Sequence, residues 1–381
     1  MSDVAPAPQS APADAPREPR VVVVGGGYAG ATIARELDAV ADVTVVEPKD
    51  HFVHAVATLR ATVDEAWEDK VFHSYDKLLE RGRVIHDTAR LVTPTQVRLS
   101  PVSTLDADYL VLATGTTYPF PAKYIEQQAW VARSRLARLR EALAVTRDVL
   151  LVGGGPVGVE LAGELLHAFP HLNITMVERE FDILPSPDYL PEFRTALHEQ
   201  LEAAGVHFIL GRQLAYWPSG DVGTLHDFTV HTTDGQRIDA QMWFRCFGNQ
   251  QESDYLDAAF ANVRRGDGRL AVQPTMQVEG FETVFAVGDV TDVPESKRAQ
   301  AAIAHARVAA ANIRSLIAGE NPTATYTAAR EQIVLPLGPT GGASQLQQPD
   351  GKRVVLGSED TARIKGADLM TGPIEEILGL A

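Results

Sequence analysis

Two stretches of this sequence carry glycines at the spacing that lets a turn grip a diphosphate. Gly25, Gly27 and Gly30 form G-x-G-x-x-G, and Gly153, Gly155 and Gly158 repeat it. In such a turn the first glycine permits the tight bend, the second lets backbone approach a pyrophosphate, and the third lets the following helix pack against its strand. The phosphates then meet unpaired N–H groups at the positive end of that helix. The bare pattern is weak evidence, because in a chain with 30 glycines among 381 residues it arises by chance about 0.2 times. Each copy, however, is followed by an acid, Glu47 and Glu178, at the end of the next apolar run, where a carboxylate can accept hydrogen bonds from ribose hydroxyls. A carboxylate there favours a free 2′-hydroxyl over a 2′-phosphate, and Arg179 beside Glu178 leaves the phosphorylated nucleotide open for the second copy.

The elements that must position these residues are legible on either side of them. Val21 to Val24 is a continuous apolar run, as for a strand buried on both faces of a parallel sheet. Ala29 to Val40 carries Ile33, Leu37 and Val40 at helical spacing, and Val43 to Val46 supplies the next strand. The order returns as strand Val149 to Val152, helix Pro156 to Ala168 and strand Ile174 to Val177, with Val157, Leu161 and Leu165 on one helix face and Pro156 suited to a first helical position. Tyr109 to Ala113 and Val284 to Val287 read as further buried strands, and Lys297 to Leu316 as a long alanine-rich helix. From about Thr325 short strand-like runs, Gln332 to Leu337 and Arg353 to Leu356, precede an expected helix at Ile374 to Leu380.

Composition bounds the rest. Hydrophobic residues at 45% and charged residues at 22% suit a globular chain of two or three units. The balance of 34 basic against 50 acidic residues, −16 overall, with no basic block, argues against nucleic acid as a partner. No apolar stretch approaches the roughly 20 residues that span a bilayer. Residues 1–19, rich in Ala, Pro, Ser and Asp, read as a disordered tail without the pattern of a signal peptide, and Ser2 lacks the glycine needed for N-myristoylation. A single cysteine, Cys246, excludes an internal dithiol relay and reads as a small buried hydrophobe beside Phe244 and Phe247. The eleven histidines show no paired spacing of a zinc site, so no metal is expected.

With two such units, the chain resembles the two-dinucleotide flavoprotein oxidoreductases. Asp108-Tyr-Leu-Val-Leu-Ala-Thr-Gly115 resembles their crossover into the nucleotide domain, and Val284-Phe-Ala-Val-Gly-Asp289 their second flavin motif. The segments His54 to Ala61, Lys297, His305 to Ile313, and Ala362-Arg-Ile-Lys365 through Asp368-Leu369 are similar to the apoptosis-inducing-factor homologues that include ferroptosis suppressor protein, relatives of type II NADH:quinone dehydrogenases. The likeness runs from about Val21 to Met370. Ala55 and Gln300 depart from it, standing where those relatives often carry asparagine and an aromatic residue.

The resemblance implies an α/β fold with two Rossmann-like dinucleotide-binding domains, the NAD domain inserted into the FAD domain, and a small C-terminal α+β module. The expected boundaries are 20–120 with 251–320 for FAD, 121–250 for NAD(P)H and 321–381 for the module. It implies FAD and NADH as cofactors, NADPH remaining open. The expected cofactor contacts are the six motif glycines, Glu47 and Glu178, with Tyr28, Ala29, Arg60, Ala113, Thr114, Gly115, Gly248, Gly288, Asp289 and Ala299. Asp289 would bond the ribityl chain of the flavin, Lys297 would approach the isoalloxazine from the start of its helix, and Glu160 would position nicotinamide against flavin. A solvated lysine and a helix-surface carboxylate are the plainer readings of those last two. The reaction implied is hydride transfer from NAD(P)H to FAD and onward delivery to a quinone or similar diffusible acceptor. A small redox protein as acceptor, or a low-turnover redox sensor, are the alternatives. Cytoplasmic placement, peripheral membrane contact and a homodimer are compatible with all of them.

Overall fold

The apolar runs become strands, and register explains where the acids fall. The structure, a computed structural model, describes residues 17–381, so the expectation of a disordered tail over 1–19 lies almost wholly outside the described residues. Strand β1 (Arg20–Val24), helix α1 (Tyr28–Leu37), strand β2 (Asp42–Val46), helix α2 (Thr58–Val63), strand β3 (Arg83–Ile85) and strand β4 (Tyr109–Leu112) build the first unit. Helix α3 (Ala129–Val145) leads to strand β5 (Asp148–Val152), helix α4 (Pro156–Ala168), strand β6 (Asn173–Glu178), helix α5 (Pro191–Ala203), strand β7 (His207–Leu210) and strand β8 (Met242–Arg245). The chain then returns through strand β9 (Val284–Ala286) and helix α6 (Ala299–Ile317).

The first sheet has the order β9-β4-β1-β2-β3 and the second β7-β6-β5-β8, with every pairing parallel. The whole second sheet therefore lies in sequence between β4 and β9 of the first. Val21 to Val24 are at most 2% exposed, as a strand covered on both faces requires. On one face α1 and α6 pack together through Ala29, Ile33, Ala34 and Leu37 against Ala302, Ala306, Ala309 and Ile313, small residues that let the helices approach closely.

Helix α1 ends at Leu37, short of the expected Val40, which is 39% exposed. Its backbone turns back, the Val40 N–H donating to Leu37 O. The alanine-rich helix starts at Ala299, leaving Lys297 in the preceding loop. The C-terminal residues form an antiparallel sheet of β10 (Ile333–Leu337), β11 (Gly341–Gln347) and β12 (Arg353–Leu356), then helix α7 (Thr371–Ile377). Strand β10 lies against α4, where Leu337 leaves no room for a side chain at Gly163. No helix of the described residues is long and apolar enough to cross a membrane.

Candidate functional site

The two glycine turns are near copies of each other down to single hydrogen bonds. Val24 lies opposite Val46, and Val152 opposite Val177. The next residue on the first strand of each pair is thus the turn glycine, and on the second strand the acid. The Gly25 N–H donates to Val46 O at 2.8 Å, and the Gly153 N–H to Val177 O at 2.8 Å. Gly25 and Gly153 have φ of +104° and +113°, a conformation that side chains strain to adopt. A Cβ on Gly30 would stand 1.8 Å from Gly25 O, and one on Gly158 2.0 Å from Gly153 O. These glycines let each helix start directly against its strand.

Beyond the turns the space is open. A Cβ on Gly27 or Gly155 would meet nothing within 4 Å. The first N–H groups of α1 and α4 have no partner within their helices and no side-chain cap. The carboxylates close the other side. Glu47 Oε2 accepts from the Gly26 N–H at 2.7 Å and Oε1 from the Lys49 N–H at 3.0 Å; Glu178 does the same with Gly154 at 2.7 Å and Glu180 at 3.0 Å. One bond per oxygen leaves a lone pair on each for a hydroxyl. Both cradles therefore fit a dinucleotide diphosphate and its ribose. Arg179 is exposed and pairs with Glu180.

Asp289, in the turn after β9, is met by the Lys123 amine and feels the charge of Lys297. Lys123 Nζ donates to Thr116 Oγ1 at 2.7 Å and Thr116 O at 2.8 Å and lies 3.5 Å from Asp289 Oδ2, to which the Thr116 hydroxyl donates at 3.0 Å. Lys297 Nζ is held by two carbonyls, Thr291 O at 2.9 Å and Val293 O at 3.0 Å. Burial lowers the pKa of both lysines, and the attraction of Asp289 opposes it. Lys123 escaped the sequence reading. Its approach to Asp289, 166 positions on, is a tertiary fact.

Glu160 is not a free surface carboxylate. It accepts a hydrogen bond from Lys365 Nζ at 2.8 Å, so a residue of the C-terminal module meets the helix that follows the second cradle. Arg60 is buried; its Nε donates to Glu164 Oε2 and its Nη2 to Gly366 O at 3.0 Å, with the guanidinium 5.1 Å over the Trp67 ring. Burial raises the pKa of Glu164 against the attraction of Arg60. Arg60 thus bridges α2, α4 and the segment at Gly366. The Tyr28 side chain also turns inward: its hydroxyl accepts from the Val56 N–H at 3.0 Å and donates to His54 Nδ1 at 2.8 Å, while His54 Nε2–H donates to Leu369 O at 2.8 Å.

The remaining expected contacts fall just beyond β4, β8 and β9 and at the starts of α1 and α6. Ala113 packs its carbonyl against Gly25, and Ala29 faces the Gly288 turn. The Thr114 hydroxyl donates to Glu252 O, and Gly115 adjoins open space. Ala299 opens α6. Gly248 lies against the Arg245 guanidinium beyond β8. Cys246 is 3% exposed and burial pushes its thiol up to about 12, so it carries no thiolate at neutral pH. Among the described residues no cluster of His, Cys, Asp or Glu could hold a metal ion.

Residues 17–310 match the family model described as pyridine nucleotide-disulphide oxidoreductase. The chain belongs to this family. Apoptosis-inducing factor homolog B of Dictyostelium discoideum is 30% identical over 368 residues, 92% of this chain and 94% of that protein. Ferroptosis suppressor protein 1 of Taeniopygia guttata is 32% identical over 342 residues, 86% of this chain and 88% of that protein. The sulfide:quinone oxidoreductase of Aquifex aeolicus superposes with a TM-score of 0.71 at 16% identity, covering 94% of this chain and 90% of that one, a likeness of fold. The chain is accordingly an oxidoreductase of the pyridine-nucleotide type.

Proposed function

We propose that this chain oxidises NADH through FAD and delivers the electrons to a quinone-type diffusible acceptor. The observation that carries this reading is the duplicated cradle: two turns with the same glycine contacts, the same acid bonded to its neighbouring N–H groups, and open space at Gly27 and Gly155. FAD belongs in the first, with Glu47 on its adenosine ribose and Asp289 on its ribityl chain; NADH belongs in the second, with Glu178 on its ribose. Residues 20–120 and 251–320 then form the FAD domain, 121–250 the NADH domain and 321–381 the C-terminal module.

Once both are bound, the cofactors supply hydride transfer from nicotinamide to flavin and release of the electron pair onward. The chain contributes positioning. Helix starts fix the diphosphates, Lys123 lies beside Asp289, carbonyls of the following loop hold Lys297, and the Lys365 amine holds Glu160 on the helix after the second cradle. Such positioning lowers a barrier by several kcal/mol when it aligns reacting atoms.

The acceptor follows from what the chain lacks and what it shapes. The only cysteine is buried and un-ionised, which disfavours a thiol relay. An open groove of about 660 Å³ lies between α1, α6 and α7, and four of its ten lining residues, Arg35, Glu36, Arg307 and Glu376, are charged. Its uncharged part, the Gln300 amide with Ile303, Ala304, Pro373 and Ile377, offers a polar group beside aliphatic surface to a ring with carbonyl oxygens and an apolar substituent. Gln300, a departure from the resemblance, sits on its wall.

The test is anaerobic. Purified protein should be yellow, should bleach on NADH, and should reoxidise faster with a soluble quinone than with rubredoxin, ferredoxin or oxygen; Cys246→Ser should turn over as the wild type does. Colourless protein sinks the flavin reading. Faster reoxidation by a redox protein gives the acceptor to that class, and slow reoxidation by every acceptor makes the chain a redox sensor.

A further inference from the structure

We infer that His305 is a positioning residue for the flavin, acting as an acid-sensitive clamp on the Gly288-Asp289 turn. This rests on the assignment of that turn to FAD and goes beyond it in naming what holds the turn. His305 is 1% exposed, and it reaches the turn from α6 rather than from the chain around it. The Gly288 N–H donates to His305 Nδ1 at 3.1 Å. The other ring nitrogen is 2.8 Å from Glu295 Oε1, and Glu295 Oε2 accepts from the Tyr326 hydroxyl at 2.6 Å. Tyr326 also stands edge-on to the imidazole, ring centroids 4.3 Å apart.

These contacts fix the tautomer. Gly288 offers a proton, so Nδ1 must accept; Glu295 offers lone pairs, so Nε2 must carry the hydrogen. A backbone N–H buried in this turn has no water to turn to, which makes the imidazole its required partner. Protonation of His305 would put an N–H at Nδ1, facing the N–H of Gly288, and the turn would have to move. Asp289 is the next residue, so its carboxylate would move with it.

The charges facing His305 come from three directions. Glu295 and Lys297 lie in the loop before α6, Asp289 in the turn after β9, and Tyr326 in the segment after α6, while α1 meets this corner with Ala29. Glu295 favours the protonated ring, Lys297 opposes it, and burial opposes it more strongly than Glu295 favours it. The ring is therefore neutral at neutral pH, and the clamp is closed there.

The test measures FAD affinity of the full chain between pH 7.5 and pH 5 by flavin fluorescence quenching, in the wild type, His305→Asn and His305→Gln. The Asn amide oxygen falls near the place of Nδ1 and can still accept from Gly288; the Gln amide falls near Nε2 and cannot. The wild type should lose FAD affinity as the pH falls, roughly ten- to hundredfold, the equivalent of one buried hydrogen bond lost. His305→Asn should bind FAD within a few fold of wild type at pH 7.5 and show little of the acid loss, whereas His305→Gln should bind weakly at every pH. Equal affinities for the two variants, or the same acid limb in His305→Asn as in the wild type, overturns the clamp. A wild type that binds no FAD at any pH refutes the flavin assignment instead.

Discussion

Gly27→Ala and Gly30→Ala add the same methyl group three residues apart, and the structure separates their effects. At Gly30 the new Cβ would stand 1.8 Å from the Gly25 carbonyl oxygen, whereas real Cβ atoms keep at least 3.0 Å from such a neighbour. The carbonyl would have to retreat by at least the difference, 1.2 Å, yet the Gly25 N–H is tied to Val46 O and its turn to β1. Overpacking of this kind costs about 1–3 kcal/mol, and a backbone obstacle places the cost at the upper end. At Gly27 the Cβ meets nothing within 4 Å, and φ of −69° accepts alanine without strain. The cofactor-free protein should therefore tolerate Gly27→Ala within about 0.5 kcal/mol. The methyl group would nonetheless occupy the place where a phosphate oxygen must reach the helix start. A displacement of that contact worth about 1.4 kcal/mol weakens FAD binding tenfold. Urea unfolding of the apoprotein measures the first quantity, and flavin titration the second. The reasoning fails if Gly27→Ala binds FAD as the wild type does, or if it destabilises the apoprotein as much as Gly30→Ala.

Glu178→Ala should raise KM for NADH about tenfold with kcat little changed, because ribose contacts bind ground and transition states alike; steady-state kinetics at wild-type flavin content checks it, and a fall in kcat at constant KM would contradict it. Glu164→Gln should cost about 3–5 kcal/mol in urea unfolding by stranding the Arg60 charge in the interior, while Arg60→Met with Glu164→Leu should recover most of the loss; a single-variant cost under about 1 kcal/mol would show that the pair is not buried as described. Burial holds His54 at about 4 rather than its usual 6.5, so the unfolded chain takes up its proton first as the pH falls. Stability supplied by the neutral ring is complete above pH 6.5 and is lost between 6.5 and 4, about 3 kcal/mol in all. Unfolding midpoints at pH 7.5 and 4.5 should draw apart more in the wild type than in His54→Gln.

What the sequence disclosed and what it withheld divide along chain distance. The cradles were legible because everything in them is local: a buried valine run, a glycine turn, a helix face and an acid one strand later. The ends of elements were less so. Val40 continues the spacing of Ile33 and Leu37, yet the chain turns at Leu37, since periodicity records a face and not where the helix stops. Long-range partners were not legible at all. Lys365 lies 205 residues from Glu160 and Gly366 lies 306 from Arg60, and no spacing rule joins such positions. The same holds for Lys123 at Asp289 and for His305 at Gly288. Arg60 reads in sequence as a cofactor contact, and only packing shows that Glu164 and Gly366 engage it.

On the proposed reading, one motif serves a retained group in one domain and an exchanging substrate in the other. The glycine contacts and carboxylate bonds of the two cradles match, so any difference in grip must come from what stands behind them. Behind the first, the Tyr75 hydroxyl donates to Gly26 O at 3.0 Å, and Tyr75 packs in a buried cluster with Ala31, Phe52, Leu78, Ile374 and Leu378. The C-terminal helix therefore closes over the same cluster that braces the Gly26 turn, and opening that turn would mean disturbing chain ends some 350 residues apart. Behind the second, Gly154 meets the Ile183 side chain, and the adjoining Phe181 is 89% exposed. That loop is joined to its neighbours by backbone bonds from Gly211, Arg212 and Leu184 and by Ile183 and Leu184, both buried in the core of the second unit. Local opening costs least where few buried contacts must break. On the proposed reading, FAD sits in the cradle that the C-terminal helix braces and NADH in the one that, among the described residues, no chain end covers, which is the assignment that turnover requires: the nucleotide has to leave in every cycle, and the flavin has to stay.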